Sequence, residues 1–257
     1  MKVRRREAVL HSAAVDPRIV PYLRQAGFYG LSQVGFFQLD HHLITALVER
    51  WRPETHTFHL PTGEATITLE DVAVQLGLPV DGRAVTGSTA HDWRALCLEL
   101  LGIVPDDRRL LKGCRVNMGW LRQQFPVPPP DADELTLIRY TRAYILQLMG
   151  GSIFADKSGN LVSLLFLPLL RDFQETGTYS WGAGALAWLY RSLCRAAHGS
   201  TMEIVGAVVI IQLWAWDQII VCAPRRLVAR PRQGVVPFRP LGARYICTYF
   251  CMFIFYM

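Results

Sequence analysis

The sequence predicts a mainly α-helical protein: a single compact helical domain with a small antiparallel β-hairpin near residues 55–69. Three observations lead to this prediction. Apolar residues recur at helical spacing in most segments, many of these segments lie between capping residues and glycine or proline, and strand-like alternation marks one short stretch. With 257 residues, 51% of them hydrophobic, the chain is long enough to bury a sizeable core.

The first two helices are marked by their ends. Asp16-Pro17 opens a short helix that Gly27 closes, and Asp40 is the predicted N-cap of the second. One face of this second helix is apolar, with Leu43, Ile44, Leu47, Val48 and Trp51. Pro53 lacks a backbone donor and biases Arg52 away from helical geometry, so we expect the helix to end near Trp51.

A β-hairpin is predicted next. Thr55 to Leu60 alternates between apolar and polar residues, and Ala65 to Leu69 alternates back. Pro61-Thr62-Gly63 between them supplies residues that favour a turn.

A short helix follows the hairpin. Thr68 and Asp71 have the spacing of a capping box, and Gly77 followed by Pro79 ends the segment. Its buried stripe is predicted to be Leu69, Val72, Ala73 and Leu76.

The remaining elements follow the same logic of caps and breakers. Before residue 152 they are a helix over Trp93–Leu101 ended by Gly102, a helix over Trp120–Phe125 stopped by Pro126, and a long helix over Leu135–Leu148 ended by Gly150-Gly151. Next come an apolar segment over Leu161–Leu170, bent or broken at Pro168, and a helix capped by Ser180 that ends near Gly199. The last is an apolar helix from Ile204, opened by Ser200 and Glu203 as a capping box.

Composition divides the chain into four parts: a basic N-terminal extension over 1–15, a helical domain over 16–223, an Arg/Pro-rich strip over 224–244 and an apolar tail over 245–257. Within the domain, the stiff prolines at 126–131 mark a sub-boundary.

No membrane segment and no disulfide framework are predicted. The apolar stretch 204–223 contains Gln212, Asp217 and Gln218, and a charge inside a spanning helix is expensive, which favours a buried core helix. The first residues are basic and lead into a mixed segment without the apolar core of a signal peptide. Six cysteines without any Cys-x-x-Cys pair indicate reduced thiols in a cytosolic or nuclear protein.

Candidate chemical sites do not assemble. His41, His42, His56 and His59 cluster in sequence, but adjacent helical residues and residues three apart on a strand face different directions, so we predict no metal site. Gly151 to Ser158 resembles a phosphate-binding loop only superficially, because Asp156 precedes Lys157 and a helix precedes the loop.

Catalytic signatures are also missing from the sequence. With three lysines and no strand–helix alternation, a pyridoxal enzyme is disfavoured, and neither a nucleophile-elbow motif nor a zinc-protease helix motif occurs. We therefore predict no catalytic residue, no cofactor and no metal.

The positive charge is concentrated near the C-terminus. Six of the 27 basic residues lie beyond residue 223, so residues 1–223 carry 21 basic and 21 acidic side chains. These six are Arg225, Arg226, Arg230, Arg232, Arg239 and Arg244, without any acid among them. They are the predicted contacts to nucleic acid or to an acidic partner, and a solvated linker is the alternative.

Residues 49–87 closely resemble the signature block of the plant mobile domain, a family of plant transposon proteins and nuclear plant proteins. Further blocks occur in family order: Ala26-Gly27-Phe28-Tyr29-Gly30, Arg142 to Gly151, Asp156 to Asn160, Leu167 to Asp172, Tyr179 to Gly182 and Leu213 to Trp216. The resemblance covers roughly residues 15–244. It is greatest to the Maintenance of Meristems group, whose members are also named as long-form homologues of a plant serine/threonine phosphatase.

The resemblance implies a non-enzymatic nuclear protein that acts as an interaction module in meristem maintenance and transposon silencing, with a phosphatase-like nuclear partner. A nucleic-acid-binding protein of transposon origin that uses the arginine strip is the alternative, and an enzyme of unrecognised type is a third. The family labels "phosphatase" and "aminotransferase-like" find no matching residues in this chain. Residues 245–257 depart from the family pattern, which we interpret as truncation or mis-splicing.

Overall fold

The computed structural model describes residues 2–3, 15–34, 38–107, 109–155, 158–198, 203–204, 206–219 and 222–223. The helices of this part are α1 Val20–Gln25, α2 Tyr29–Gln33, α3 His41–Glu49, α4 Leu69–Leu76, α5 Trp93–Leu101, α6 Met118–Gln124, α7 Glu134–Leu148, α8 Phe173–Thr176, α9 Trp181–Ala197 and α10 Val208–Gln218. The strands are β1 Lys2–Val3, β2 Trp51–Arg52, β3 Thr57–Leu60, β4 Gly63–Ala65, β5 Leu111–Lys112, β6 Arg115–Asn117, β7 Leu161–Ser163 and β8 Glu203–Ile204. The predicted mainly α class is confirmed.

The predicted hairpin is confirmed and belongs to a larger sheet. β3 and β4 pair antiparallel through a turn at Pro61-Thr62, and β2 adds a third strand in the order β2-β3-β4. A second antiparallel sheet, β5-β6-β7, was not predicted, because strands of two or three residues carry too little alternation to be recognised. β1 and β8 form a parallel pair.

Two predicted helix starts are confirmed at atomic detail. The Asp40 carboxylate accepts the backbone N–H groups of His42 and Leu43 at 2.9 and 3.0 Å. Thr68 Oγ1 accepts the Asp71 N–H at 3.2 Å, while the Asp71 carboxylate accepts the Thr68 N–H at 2.7 Å. These caps satisfy backbone donors that the first helical turn leaves unpaired.

The buried stripe of α4 differs from the prediction at three positions, one of which is Ala73, which is only half-buried. Leu69 is 41% exposed, whereas Val72 and Leu76 are fully buried as predicted. Gln75 is buried instead, at 1% exposure. The reason is that α4 packs against both α9 and α10, so the buried face extends around the helix beyond the stripe of apolar residues.

The last described helix begins later than predicted. Ser200 lies outside the described residues, and Glu203–Ile204 forms strand β8 rather than the first turn of a helix. Gly206 has a φ of +120°, which breaks the helical path before α10 starts at Val208. Residues 208–216 are buried, which fits the predicted core helix. In the described part of the chain no helix is both long and apolar enough to cross a membrane.

The end of α7 also departs from a simple glycine stop. The helix continues into one π-helical turn, Met149–Ile153, and Gly150 lies against β7. A Cβ atom on Gly150 would lie 2.7 Å from Val162 Cβ, so only glycine allows this approach. The apolar segment over 161–170 is β7 followed by a 3₁₀ helix, Leu164–Leu170, which contains Pro168.

The proline connector is tied to the N-terminal part of the domain by Arg18. Its guanidinium donates to the carbonyl oxygens of Pro128, Pro129 and Pro130 at 2.8, 2.6 and 3.1 Å. Asp16 holds the same guanidinium through an ion pair of 2.8 Å. One buried core extends from Ile19 to Trp216, on both sides of the connector.

Candidate interaction surface

The inner face of the β2-β3-β4 sheet fixes the sheet to the helices. Trp51 and Phe58 are cross-strand partners, both buried, with ring centroids 5.0 Å apart. Phe58 also lies 5.0 Å from the Trp214 ring of α10, and the Trp51 indole N–H donates to Cys194 Sγ of α9 at 3.3 Å. A sheet held by such contacts presents its other face in a fixed geometry.

The outer face of the same sheet is polar, because side chains alternate between the two faces. Arg52 lies opposite Thr57, and His59 lies opposite Glu64. Thr57 Oγ1 donates to Glu64 Oε2 at 3.0 Å, and His59 Nδ1 lies 3.9 Å from Glu64 Oε1. Together with His56 in the adjoining turn, these residues form what we call the signature surface.

His56 has an uncommon backbone conformation. Its φ is +55°, the left-handed region, which costs a non-glycine residue about 1–2 kcal/mol. The exposed imidazole stacks on the Tyr190 ring with centroids 5.4 Å apart and an angle of 25°. Its backbone N–H donates to Arg52 O at 2.8 Å, and its carbonyl accepts from Thr66 Oγ1 at 2.6 Å. These contacts hold a strained residue at the edge of the signature surface.

Replacing His56 with glycine is expected to leave the free energy of unfolding within about 1 kcal/mol of the wild type, since relief of the left-handed strain offsets loss of the stack. A valine at the same position is expected to lower the free energy of unfolding by about 2 kcal/mol, because a β-branched residue fits this conformation poorly. Urea denaturation measures both. His59→Val, on an extended strand, is the control, and equal effects of glycine and valine at position 56 would contradict the account.

The predicted site residues divide into described and undescribed ones. The six arginines from Arg225 to Arg244 lie outside the described residues, so their role stays a prediction. His41 and His42 lie on α3, and His56 and His59 lie on the sheet. Across the described residues, no group of three or more histidine, cysteine or acidic side chains could hold a metal ion.

Gly151, from the segment that resembles a phosphate-binding loop, and the thiol of Cys97 are both buried. Gly151, at the start of the phosphate-loop lookalike, is buried within the π-helical turn, while Asp156 and Lys157 lie outside the described residues. Cys97 is a free thiol in the core, and burial raises its pKa to about 11, which keeps it protonated and unreactive at neutral pH.

A buried arginine that sequence reasoning did not single out joins three elements. Arg142 of α7 is 8% exposed and donates to the carbonyl oxygens of Leu170, Leu100 and Arg171 at 2.9, 2.9 and 2.8 Å. Burial lowers the pKa of its guanidinium. The only sequence signal was its place at the head of a family block, and the structure shows its donors directed to backbone carbonyls.

The loop between α4 and α5 is exposed but pinned at its start. Arg83 donates its N–H to Thr178 O at 2.9 Å and accepts the Ser180 N–H at 2.8 Å, so the loop joins the segment before α9. The Arg83 guanidinium forms an ion pair of 2.7 Å with Glu175. Long loops held in place are common sites of function, and no local sequence pattern predicts these distant contacts.

Comparison with known proteins gives a family match over most of the chain. The family model described as plant mobile domain matches residues 27–249. The protein named "Serine/threonine-protein phosphatase 7 long form homolog", from Arabidopsis thaliana, is 54% identical over 213 residues, which are 83% of this chain and 16% of that protein. Two more Arabidopsis thaliana proteins are similar: "Protein MAIN-LIKE 2" is 41% identical over 87% of this chain and 33% of its own length, and "Protein MAINTENANCE OF MERISTEMS" is 38% identical over 88% and 47%. No solved structure matches.

The chain spans less than half the length of each of these relatives, so the activity in a relative's name stays with that relative. The family match itself covers most of this chain and includes the whole signature surface. The chain belongs to the plant mobile domain family.

Proposed function

We propose that this chain is a non-enzymatic nuclear plant protein that acts by protein contact in meristem maintenance and in the silencing of transposable elements. Similarity to the relative named Maintenance of Meristems supports the developmental part of the proposal. The observation that carries the proposal is the signature surface, a polar face presented by a sheet whose inner face is locked through Trp51 and Phe58.

The signature surface has the chemistry of a reversible polar contact. It offers the arginine Arg52, the acid Glu64 and two histidines within one small sheet. A mixed surface of this kind gives specificity through charge pairing more than through raw affinity. We propose a phosphatase-like nuclear protein as the partner, in keeping with the phosphatase name that one relative carries.

Exchanging two charges on the signature surface tests the proposal. The double variant Arg52→Glu with Glu64→Arg keeps the net charge and is expected to reduce recovery of the partner from plant nuclei at least about tenfold, since mispaired charges at an interface cost several kcal/mol. Co-purification followed by mass spectrometry measures the recovery.

The matched control exchanges the exposed ion pair Arg83 and Glu175, which can form again in reverse. This control is expected to recover the partner at the wild-type level. Wild-type protein that recovers neither a phosphatase-like nor a chromatin protein would contradict the proposal.

A nucleic-acid-binding protein of transposon origin is the second candidate. The observation that favours it is the run of six arginines over 225–244 without an acid. Arginine pairs well with phosphate through its planar, fork-like donors.

A further inference from the structure

The proline connector, residues 126–131, has a backbone that its own sequence restricts. Val127, Pro128 and Pro129 each precede a proline. Proline fixes its own φ at about −65° and disfavours helical geometry in the residue before it. The peptide bonds of the connector are trans, and Pro128 and Pro129 lie outside any helix, strand or turn. The stretch from Val127 to Pro130 therefore favours the polyproline II conformation, with about three residues per turn.

Burial along this segment repeats every three positions. Phe125 and Pro128 are buried, and the two positions that follow each of them are exposed. Val127 is 68% exposed, the largest value for a large apolar side chain among the described residues. A period of about three residues places Val127 and Pro130 on the same edge of a polyproline II segment. This edge presents apolar side chains to solvent.

Arg18 holds the connector in place. Its guanidinium donates to the carbonyl oxygens of residues 128–130 at 2.6–3.1 Å, and Asp16 pairs with the guanidinium at 2.8 Å. Pro129 O also accepts the Ala132 N–H at 3.1 Å. A segment that is fixed before binding loses less conformational entropy when a partner binds it. The connector is therefore preorganised for contact with another molecule.

Two features of the connector are left for a partner. The carbonyl oxygens of Pro126 and Val127 accept no hydrogen bond from the described residues. Proline has no backbone donor, so recognition of this segment uses its carbonyl oxygens and its apolar rings, and Trp and Tyr side chains can contact both. Asp131 and Glu134 are exposed just beyond the prolines and add negative charge at that end.

We propose that the proline connector docks into an aromatic-lined groove of a partner protein, of the kind that receives polyproline II segments in SH3, WW and EVH1 domains. Val127 and Pro130 enter the groove, and Trp or Tyr donors of the partner bind the carbonyl oxygens of Pro126 and Val127. A basic side chain at the rim of the groove pairs with Asp131. The connector shares no residue with the signature surface, so this inference goes beyond the contact proposed above.

Two other roles fit the connector less well. A stiff spacer between separate domains is not needed, because one buried core continues on both sides of the connector. In a symmetric contact, a second copy of this chain would bring Asp131 and Glu134 of one copy close to those of the other. Such a contact is disfavoured, because like charges repel.

Isothermal titration calorimetry of the whole chain with purified SH3, WW and EVH1 domains tests the proposal. At least one of these domain classes is expected to bind. Val127→Asp is expected to weaken that binding at least about tenfold, because it places a charge in the centre of an apolar contact. Leu98→Asp is the matched control, since Leu98 is 59% exposed and lies on α5, outside the connector. The control is expected to bind as the wild type does.

Substitution of Arg18 gives a second readout. Arg18→Met removes the donor to three carbonyl oxygens, so hydrogen exchange at the Ala132 amide, which is bonded to Pro129 O, should become faster. The affinity for the same domain should fall about threefold, because the connector is no longer preorganised. Val127→Asp should leave exchange at Ala132 at the wild-type rate, which separates loss of a contact from loss of conformation.

Absence of binding to all three domain classes, or equal losses in Val127→Asp and Leu98→Asp, would overturn the proposal. A wild-type dimer that Val127→Asp converts to a monomer in size-exclusion chromatography would also contradict it, because the occupant would then be a second copy of the chain. Val127→Asp should still recover the nuclear partner through the signature surface. A failure of this inference is therefore distinguishable from a failure of the proposed function.

Discussion

Replacing Arg142 with methionine is expected to lower the free energy of unfolding by about 3–5 kcal/mol, because three backbone carbonyl groups lose a charged hydrogen-bond donor. Methionine has a similar length and fills much of the same space, so the loss reports on hydrogen bonds more than on a cavity. The carbonyl oxygens of Leu100, Leu170 and Arg171 would lose their donor, and each unpaired buried group costs about 1–3 kcal/mol. Urea denaturation of the whole chain measures the effect.

Arg171→Met is the control for Arg142. The Arg171 guanidinium forms an ion pair with Glu99, and both of these side chains are about half exposed. Exposed pairs contribute about 0–1 kcal/mol, so the control should change the free energy of unfolding little. A loss of less than about 1 kcal/mol in Arg142→Met would show that the three hydrogen bonds do not hold α5, α7 and the 3₁₀ helix together.

Gly82→Ala is expected to lower the free energy of unfolding by about 3–5 kcal/mol. Backbone strain and steric overlap of the added methyl group with the neighbouring chain both contribute. Gly82 has a φ of +115°, and an added Cβ would lie 2.1 Å from Thr178 O. The overlapping atom belongs to the backbone, so it cannot move aside as a flexible side chain could. The contacts of Arg83 should break as well, and hydrogen exchange at the Arg83 and Ser180 amides should become faster.

Gly63→Ala separates strain from overlap. Gly63 also has a positive φ, +130°, but nothing lies within 4 Å of an added Cβ. This substitution is therefore expected to cost about 1–2 kcal/mol, for strain alone. Equal losses at positions 63 and 82, measured in the same urea titration, would contradict the close packing of the loop against Thr178.

Local signals predicted much of the fold. Asp40, the Thr68–Asp71 capping box and the turn at Pro61-Thr62 were read correctly because each is a relation between residues a few positions apart. The second sheet was missed because β7 reaches β6 from far along the chain, and the pairing of Val116 with Val162 leaves no mark in either segment.

Burial by distant elements explains the other differences. The helical pattern predicts that Leu69 is buried, but it is exposed. Gln75 lies outside the predicted stripe and is buried, because α9 and α10 determine the environment of α4. Arg142 is buried as well, although arginine is rarely buried in proteins. Periodicity gives the faces of a helix, and tertiary packing decides which of them are covered.

The candidate site was predicted in part. The sequence identifies residues 49–87 as the family signature. Which polar side chains share the outer face of the sheet follows only from the register of its strands. The left-handed backbone of His56 was not predicted, because even histidine, which is enriched in this region compared with most non-glycine residues, adopts it only occasionally.

Amide hydrogen exchange of the chain, alone and bound to the partner recovered from plant nuclei, tests the central claim most directly. The account predicts slower exchange over residues 51–66 in the complex than in the free chain. Protection confined to other segments, or an unchanged pattern in the complex, would show that this protein does not work through its signature surface.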